Sequence, residues 1–201
     1  MKTDSMEQAE KETVIRMAKL SDAQEILDIY AWYVKESAVT FEYEVPSLME
    51  FQQRMIHILQ KYPYLVAEEN GEIKGYAYAG VFKGRRAYDW ACETTIYIKK
   101  SCRGQGFGKK LYHALEKILR QQNIQNMYAC IAASEEEDVH FTNDSPKFHA
   151  HMGFTFIGTF SKCGYKFGKW YDMIWMEKML GEHEQMPKDV IWLPELSDLD
   201  F

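Results

Sequence analysis

The sequence predicts an α/β (α+β) protein in which helices cover both faces of a mostly antiparallel sheet. Three observations support this prediction. The pair Asn70-Gly71 separates two apolar runs, and Asn-Gly favours the type I′ turn of a β-hairpin. Apolar residues recur at helical spacing on either side of that hairpin. Strand-like and helical segments follow one another without an internal repeat, which indicates one sheet packed between helices.

The elements before the hairpin are a short strand and two helices. Residues 13–18 are strand-like, and Ser21-Asp22 is typical of the cap of a helix that runs to about Glu36. A second amphipathic helix is predicted over Leu48–Leu59, directly after Pro46-Ser47.

The segment after the hairpin begins with a β-branched strand over Ala91–Ile98 that leads into a glycine-rich loop. A helix is predicted from that loop to about Gln122, with Glu116 and Arg120 as an i,i+4 pair on its polar side. The other predicted elements are the hairpin strands 64–68 and 73–82, the later strands 127–133, 154–158 and 170–178, and a short helix at 146–152.

Length and composition favour one acidic globular domain. The chain has 201 residues and a formal net charge of -6, which argues against a general affinity for nucleic acid or anionic lipid. It has no apolar run of membrane-spanning length, and its acidic start is unlike a signal peptide, so we expect a cytoplasmic protein. We divide it into a flexible N-terminus (1–12), a domain (13–180) and an acidic C-terminal tail (181–201) that docks on the body or on a partner.

The cysteines do not indicate a metal or redox site. Their wide spacing forms neither a CxxC pair nor a zinc-ligand pattern, so we predict reduced thiols and no metal. A cysteine nucleophile is disfavoured, because no neighbouring residue visibly activates one of these thiols. The four cysteines are Cys92, Cys102, Cys130 and Cys163.

Residues 103–108 form the glycine loop, with the sequence Arg-Gly-Gln-Gly-Phe-Gly. The first turn of a helix leaves N–H groups unpaired, and glycines allow the main chain to approach an anion closely. Arg103 and Lys109 add positive charge at the rim of this loop. The pattern indicates an anion site suited to a pyrophosphate, although a tight glycine turn without a ligand has the same spacing.

Two other phosphate-binding loops are excluded. A Walker loop requires Ser or Thr after its Gly-Lys pair, whereas Gly108-Lys109 is followed by Lys110. A dinucleotide-binding fold places its glycine fingerprint early in a parallel βαβ unit, whereas this loop lies in mid-chain after an antiparallel hairpin.

The Arg-x-x-Gly-x-Gly spacing, between a strand and a helix, resembles the acetyl-CoA loop of the GCN5-related N-acetyltransferase (GNAT) superfamily. Further segments are similar to its phosphinothricin N-acetyltransferase branch, and the resemblance covers roughly residues 13–179. These segments are 62–68, 77–80, 83–90, 93–98 and 164–166.

The resemblance implies the GNAT fold, with central strands that splay apart, and acetyl-CoA as cosubstrate. It places the pyrophosphate on the glycine loop and pairs the cofactor with the edge of the preceding strand. The implied cofactor-binding residues are Ile96, Tyr97, Ile98, Arg103, Gly104, Gln105, Gly106, Phe107, Gly108, Lys109 and Asn143.

Two residues match catalytic positions of the branch. Glu93 is the implied general base, since an ammonium must lose a proton before it can attack a thioester. Its alternative is a solvated carboxylate or an ion-pair partner. His149 is implied to protonate the leaving thiolate or to relay the amine proton, with a packed helix histidine as its alternative.

The resemblance assigns the choice of acceptor to Phe41, Lys83, Arg85 and Tyr88. Two cations suit an anionic amino acid, because arginine grips a carboxylate through parallel N–H bonds. A basic surface turn is the alternative. The implied reaction acetylates the α-amine of a small amino acid such as phosphinothricin or methionine sulfoximine or sulfone, in a homodimer.

Two other functions stay open. The chain could acetylate another amine, such as a protein N-terminus, a lysine or a polyamine, although a polyamine site would want carboxylates in place of Lys83 and Arg85. It could also be a non-catalytic acetyl-CoA sensor. The acidic insertion 134–142 departs from the branch, and we interpret it as a solvated loop rather than part of the pocket entrance or of a subunit contact.

Overall fold

The computed structural model describes residues 13–199 and 201, so the predicted flexible segment 1–12 lies outside the described residues. Within them, none of the helices is long and apolar enough to cross a membrane. The strands are β1 (Thr13–Met17), β2 (Tyr64–Glu69), β3 (Glu72–Val81), β4 (Ala91–Ile98), β5 (Asn126–Ala133), β6 (Thr155–Lys166) and β7 (Lys169–Met179). The α-helices are α1 (Ala23–Glu36), α2 (Leu48–Leu59), α3 (Phe107–Gln121) and α4 (Asp144–His151).

One seven-stranded sheet has the order β1-β2-β3-β4-β5-β7-β6. Every neighbouring pair is antiparallel except β4 and β5, which run parallel. Helices α1 and α2 pack on one face, around tyrosines of β2, β3 and β4, while α3 packs on the other face over β2–β5. The predicted fold class, including helices on both faces, is confirmed.

The predicted hairpin forms because its turn residues tolerate positive φ angles. Asn70 and Gly71 have φ of 55° and 75°, as a type I′ turn requires. The start of α2 is also as predicted, since the Ser47 hydroxyl accepts a hydrogen bond from the Glu50 N–H.

Three local predictions are wrong. Strand β6 continues to Lys166 rather than ending at 158, since a turn with positive φ at Phe167 and Gly168 joins it to β7. Asp22 does not cap α1, because its carboxylate accepts from the Lys19 N–H and pairs with Arg16. Glu116 is buried and pairs with Lys178 of β7 rather than with Arg120.

A buried lysine anchors the loop between α1 and α2 to β6. The Lys166 ammonium donates to three backbone carbonyls at the end of α1 and in the loop, those of Val34, Ser37 and Thr40, each at 2.8 Å. Nearby, a Cβ on Gly164 would come within 2.4 Å of the Phe41 ring, so only glycine leaves room for that ring. These contacts fix the position of Phe41.

The acidic run of the insertion, residues 135–139, is exposed, as a solvated loop would be, whereas the residues that follow it pack against the body. Phe141 is buried beside Ala38 and Tyr171, and the His140 carbonyl accepts from the Ala38 N–H. The insertion therefore joins the end of α1 to β7.

The C-terminal tail docks on the body of the same chain. Trp192 packs edge-on against Tyr62, with ring centroids 5.5 Å apart. The Ile191 N–H donates to the Gln122 carbonyl at 3.1 Å, and the Leu193 N–H donates to the Lys61 carbonyl at the same distance. Apolar burial and main-chain hydrogen bonds together hold the tail in place.

Candidate active site

The sheet opens at its only parallel pair among the described strands. Strand β4 pairs with β5 through residues 91–93 and not beyond them, whereas its pairing with β3 continues to Ile98. The edge of β4 from Thr94 onward is therefore free of β5. Glu93, opposite Tyr128, is the last paired residue.

A cavity of about 710 Å³ lies along this free edge. Its walls come mainly from β4, the glycine loop, the start of α3 and one side of α4, and Tyr33 of α1 and Val39 of the loop after α1 complete them. Eight of the predicted cofactor residues line it: Ile96, Ile98, Arg103, Gly104, Gly106, Phe107, Gly108 and Lys109.

The glycine loop has the geometry of an anion site. Gly104 and Gly106 have φ of 74° and 87°, which side chains rarely allow, and Gly106 caps α3. A Cβ at Gly108 would lie 3.1 Å from the Phe148 ring, so this glycine lets α4 approach α3. Arg103 is held over the Tyr33 ring at 5.1 Å. The unpaired N–H groups and the cations favour a phosphate group at the start of α3.

The side chains of three other predicted cofactor residues point elsewhere. Tyr97 packs on the opposite face of the sheet, 4.7 Å from the Tyr33 ring. The Gln105 amide donates back to the Ser101 carbonyl, and the Asn143 amide donates to the Ser134 carbonyl. Their side chains contact the protein, so these residues offer the cofactor path main-chain groups rather than side chains.

Glu93 faces the α1/α2 side of the sheet. Partial burial raises the pKa of its carboxyl, and the positive charge of Lys83 acts in the opposite direction. A carboxylate with a raised pKa beside a single cation is suited to accepting a proton near neutral pH.

The residues predicted to bind the acceptor amino acid lie around this face of the sheet. The Lys83 ammonium lies 5.0 Å above the Phe82 ring, which itself stacks on Tyr128 at 4.3 Å. Tyr88 and Arg85 are exposed beyond Phe82, and Phe41 packs on Tyr171 further along the same face. Among the residues predicted to bind the acceptor, Lys83 is therefore the one that interacts most directly with Glu93.

His149 is buried on the α3 face and is absent from the cavity lining. Burial lowers its pKa to about 4, so the imidazole is neutral at physiological pH. Its Nδ1 lies 2.8 Å from the Ser145 carbonyl, which can only accept, so Nδ1 carries the proton. Nε2 then accepts from the Tyr112 hydroxyl at 2.8 Å.

Sequence reasoning missed the continuation of this chain of hydrogen bonds. Because the Tyr112 hydroxyl donates to His149, its oxygen can accept from the Thr94 hydroxyl at 3.3 Å, and the single Thr94 proton is shared between Tyr112 and the Tyr128 carbonyl at 3.2 Å. His149 is therefore connected to the point where β4 and β5 diverge. Tyr112 adjoins the apolar stripe of α3, so its sequence position predicted only core packing.

The thiols and the acidic side chains add no further chemistry here. All four cysteines are free. Burial raises the pKa of Cys130 to about 12 and that of Cys92 above its ordinary value, which disfavours a thiolate nucleophile at either. Across the described part of the chain, His, Cys, Asp and Glu side chains form no cluster of three or more that could hold a metal ion.

A family model described as the acetyltransferase (GNAT) domain matches residues 15–175. The chain belongs to the GNAT family. It is therefore an N-acetyltransferase, an enzyme that transfers an acetyl group to an amine.

Two curated relatives are named for the compounds that they acetylate. The phosphinothricin N-acetyltransferase of Streptomyces viridochromogenes is 34% identical, over 79% of this chain and 83% of its own. An L-methionine sulfoximine/L-methionine sulfone acetyltransferase of Salmonella typhimurium is 28% identical, over 84% of this chain and 95% of its own.

A solved structure agrees with these relatives. The phosphinothricin acetyltransferase from Sinorhizobium meliloti, determined in complex with AcCoA, superposes with a TM-score of 0.79 and 32% identity, and the match covers 88% of this chain and 93% of that one. The GNAT fold expected from the resemblance is confirmed.

The buried neutral state of His149 predicts a loss of stability in acid. Between its unfolded pKa of 6.5 and its folded value of about 4, the unfolded chain binds a proton that the folded chain does not. Wild-type unfolding free energy should therefore fall by about 3 kcal/mol more than that of His149→Gln between pH 6.5 and 4. Urea unfolding at several pH values measures this difference.

His151→Gln is the matched control, because His151 is exposed on the same helix. It should keep the wild-type pH dependence. If the unfolding free energies of wild type and His149→Gln depend equally on pH, then His149 is not held neutral in the folded protein.

Proposed function

We propose that this enzyme uses acetyl-CoA to acetylate the α-amine of a small amino acid of the phosphinothricin or methionine sulfoximine/sulfone type. One observation carries the proposal. A long cavity runs from an anion-binding helix start along the free edge of β4, and Glu93 lies where that edge begins.

The cavity fits acetyl-CoA in shape and in charge. The start of α3, with Arg103 and Lys109, would hold the pyrophosphate. The free N–H and C=O groups of residues 94–98 would pair with the amide-containing arm, as an added β-strand does. This extended arm would bring the thioester toward Glu93, where the strands part.

Glu93 is proposed as the general base. Glu93 first takes one proton from the ammonium of the acceptor, directly or through water, which frees the nitrogen lone pair. The nitrogen then bonds to the carbonyl carbon of the acetyl thioester, and the C–S bond breaks. The second proton that the nitrogen loses passes to the departing sulfur, so CoA leaves as its thiol. Its partly buried position and the raised pKa of its carboxyl support this role.

Lys83 and Arg85 are proposed to hold the carboxylate of the acceptor. Lys83 lies close enough to Glu93 to influence its pKa, so an amino acid could place its carboxylate on Lys83 and its amine on Glu93. Tyr88 and Phe41 would close this pocket from either end. The names of the relatives support the same class of acceptor.

The hydrogen-bonded chain of His149, Tyr112 and Thr94 is proposed to position β4 against β5. A neutral, buried His149 without access to the cavity is poorly placed to protonate a thiolate directly. It fixes the Tyr112 hydroxyl, which in turn orients Thr94 beside Glu93.

The other two functions are separated by a panel of amines. Acetyl-CoA is offered with methionine sulfone, phosphinothricin, spermidine and a peptide with a free N-terminus, and release of CoA thiol is measured. Transfer to the amino acids supports the proposal. Transfer confined to spermidine or to the peptide would show that the acceptor is a polyamine or a peptide amine instead of an amino acid. Tight acetyl-CoA binding without any transfer would indicate a sensor.

Replacement of the proposed base should abolish most turnover. Glu93→Gln keeps the size of the side chain but cannot accept the amine proton, so kcat for methionine sulfone should fall by about 100-fold or more. The Kd of acetyl-CoA should stay within about twofold of the wild-type value, because Glu93 faces away from the cavity.

Glu177→Gln serves as the control, since Glu177 lies opposite Tyr128 on the neighbouring strand β7. It should retain wild-type kcat. Unchanged turnover in Glu93→Gln would reject Glu93 as the base.

Removal of Lys83 should move the acidic limb of the pH–rate profile. The positive charge of Lys83 lowers the pKa of Glu93, so Lys83→Met should raise that pKa and shift the acidic limb of kcat/KM to higher pH. Arg86→Met, which removes another exposed cation of the same loop, should leave the limb in place. An acidic limb that stays in place or moves to lower pH would show that Lys83 does not lower the pKa of Glu93.

A homodimer is also proposed. Strands β6 and β7 expose large apolar side chains, including Phe156 (60% exposed), Phe160 (56%) and Trp170 (57%), and such patches mark protein interfaces. Size-exclusion chromatography with light scattering should give twice the chain mass of 23.6 kDa, and Phe160→Glu should reduce it. A single-chain mass for the wild type would reject the dimer.

A further inference from the structure

A second cavity, of about 550 Å³, is closed by the C-terminal tail. Residues 181–188 of the tail form one wall of this cavity. Tyr88, Trp90, Asn126 and Tyr128 contribute to the opposite wall, on the body of the domain.

This cavity lies beside Glu93 and on the same face of the sheet. Ala91 pairs in register with Asn126, and Glu93 pairs with Tyr128. Side chains two residues apart on a strand share a face, so Ala91 and Asn126 point to the side that Glu93 and Tyr128 occupy. The cavity therefore starts about 7 Å from Glu93, two residues back along β4.

The tail wall is held at both ends. At its start, the Leu180 N–H donates to the Gln125 carbonyl at 2.7 Å, and His183 Nε2 lies 2.9 Å from Asn126 Oδ1. At its end, the Trp90 indole donates to the Lys188 carbonyl at 2.7 Å. Hydrogen bonds from the body thus define the shape of the space before any ligand enters.

The wall lies outside the part of the chain that defines the family. The GNAT match ends at residue 175, so the segment 181–188 belongs to the tail that follows it. The cavity is therefore closed by residues that the family match does not include.

The chemistry of the walls favours a ligand that donates hydrogen bonds. Glu182 and Glu184 line the cavity with two carboxylates, against the single cation of Lys188. Ionised carboxylates are hydrogen-bond acceptors only, so a cationic or N–H-bearing end of a ligand suits this wall.

The two sides of Glu93 therefore differ in charge. Lys83 and Arg85 are cations suited to a carboxylate, whereas the tail wall is acidic and rich in acceptors. Tyr88, which lines the cavity and contacts Phe82 beside Lys83, lies between them. An α-amino acid with a long, donor-bearing side chain would satisfy both sides at once.

We propose that the tail-closed cavity is a distal acceptor subsite that binds the cationic end of a long α-amino acid while its α-amine is acetylated at Glu93. This inference rests on the proposed function, and it adds an acceptor class to it. Arginine has the required reach, since its guanidinium lies about two strand residues from its α-carbon.

The test compares two acceptors of the same shape and different charge. L-Arginine and L-citrulline differ in whether the far end is a guanidinium or a neutral urea. The full-length wild type should show a kcat/KM for arginine about fivefold above that for citrulline, as expected for exposed charge pairs. Glu182→Gln/Glu184→Gln should bring this ratio close to one and leave the citrulline value within about twofold.

Glu195→Gln/Asp198→Asn is the matched control, because it removes two carboxylates from the tail at positions that do not line the cavity. It should keep the wild-type ratio. A wild-type ratio near one, or a ratio that the cavity variant leaves unchanged, would overturn the subsite.

Methionine sulfone separates this result from failure of the proposed function, because it is too short to reach the tail wall. Its turnover should be the same in all variants. If no amino acid is acetylated at all, the proposed function fails, and calorimetric titration of arginine into CoA-saturated protein still decides the subsite. Arginine binding that weakens only in the cavity variant supports the subsite, and absence of arginine binding to the wild type overturns it.

Discussion

The separation of β4 from β5 after Glu93 is the constraint on which the rest of the site depends. Two parallel strands that stay paired would satisfy each other's N–H and C=O groups and leave no opening in the sheet. Here the pairing stops after residues 91–93, and the edge of β4 beyond them borders a cavity. Ligand groups can satisfy that edge, so an interruption of the sheet becomes a binding surface.

The divergence persists because both faces of the sheet hold it. On the α3 face, His149 donates to the Ser145 carbonyl and accepts from Tyr112, and the single Thr94 proton is shared between the Tyr112 oxygen and the Tyr128 carbonyl, so these groups link α4, α3, β4 and β5. These polar groups are buried, so breaking one bond would leave a neighbour unsatisfied. On the other face, the ring of Tyr97 packs against tyrosines of α1. Glu93 lies at the hinge between the two packed faces.

Local chemistry explains which features could be predicted from the sequence. The Asn70-Gly71 turn, the Ser47 cap of α2 and the glycine loop each depend on the conformational needs of a few adjacent residues. The family resemblance likewise came from short segments in a fixed order. These features were predicted correctly because the residues that determine them are neighbours in the chain.

The features that sequence reasoning missed depend on partners far away in the chain. Lys166 binds carbonyls about 130 positions earlier, Glu116 pairs with Lys178, and Tyr112 meets His149 only after α3 and α4 pack together. Their side chains fit other roles equally well when only the neighbours are known. Strand β6 was predicted too short for the same reason, since β7 is its only partner in the described sheet and bulges interrupt its alternation.

The arrangement separates the reaction from the choice of acceptor. Glu93, the glycine loop and the His149 chain lie on elements within the GNAT match, whereas the tail wall beside Tyr88 and Asn126 lies beyond it. The tail is held by main-chain carbonyls of Gln122 and Lys61 and by the packing of Trp192, which lie outside the strands that diverge, whereas His183 contacts Asn126 at the start of β5. Substitutions in residues 181–188 that spare His183 can therefore alter the acceptor side of the site without moving the strand edge that holds the acyl donor.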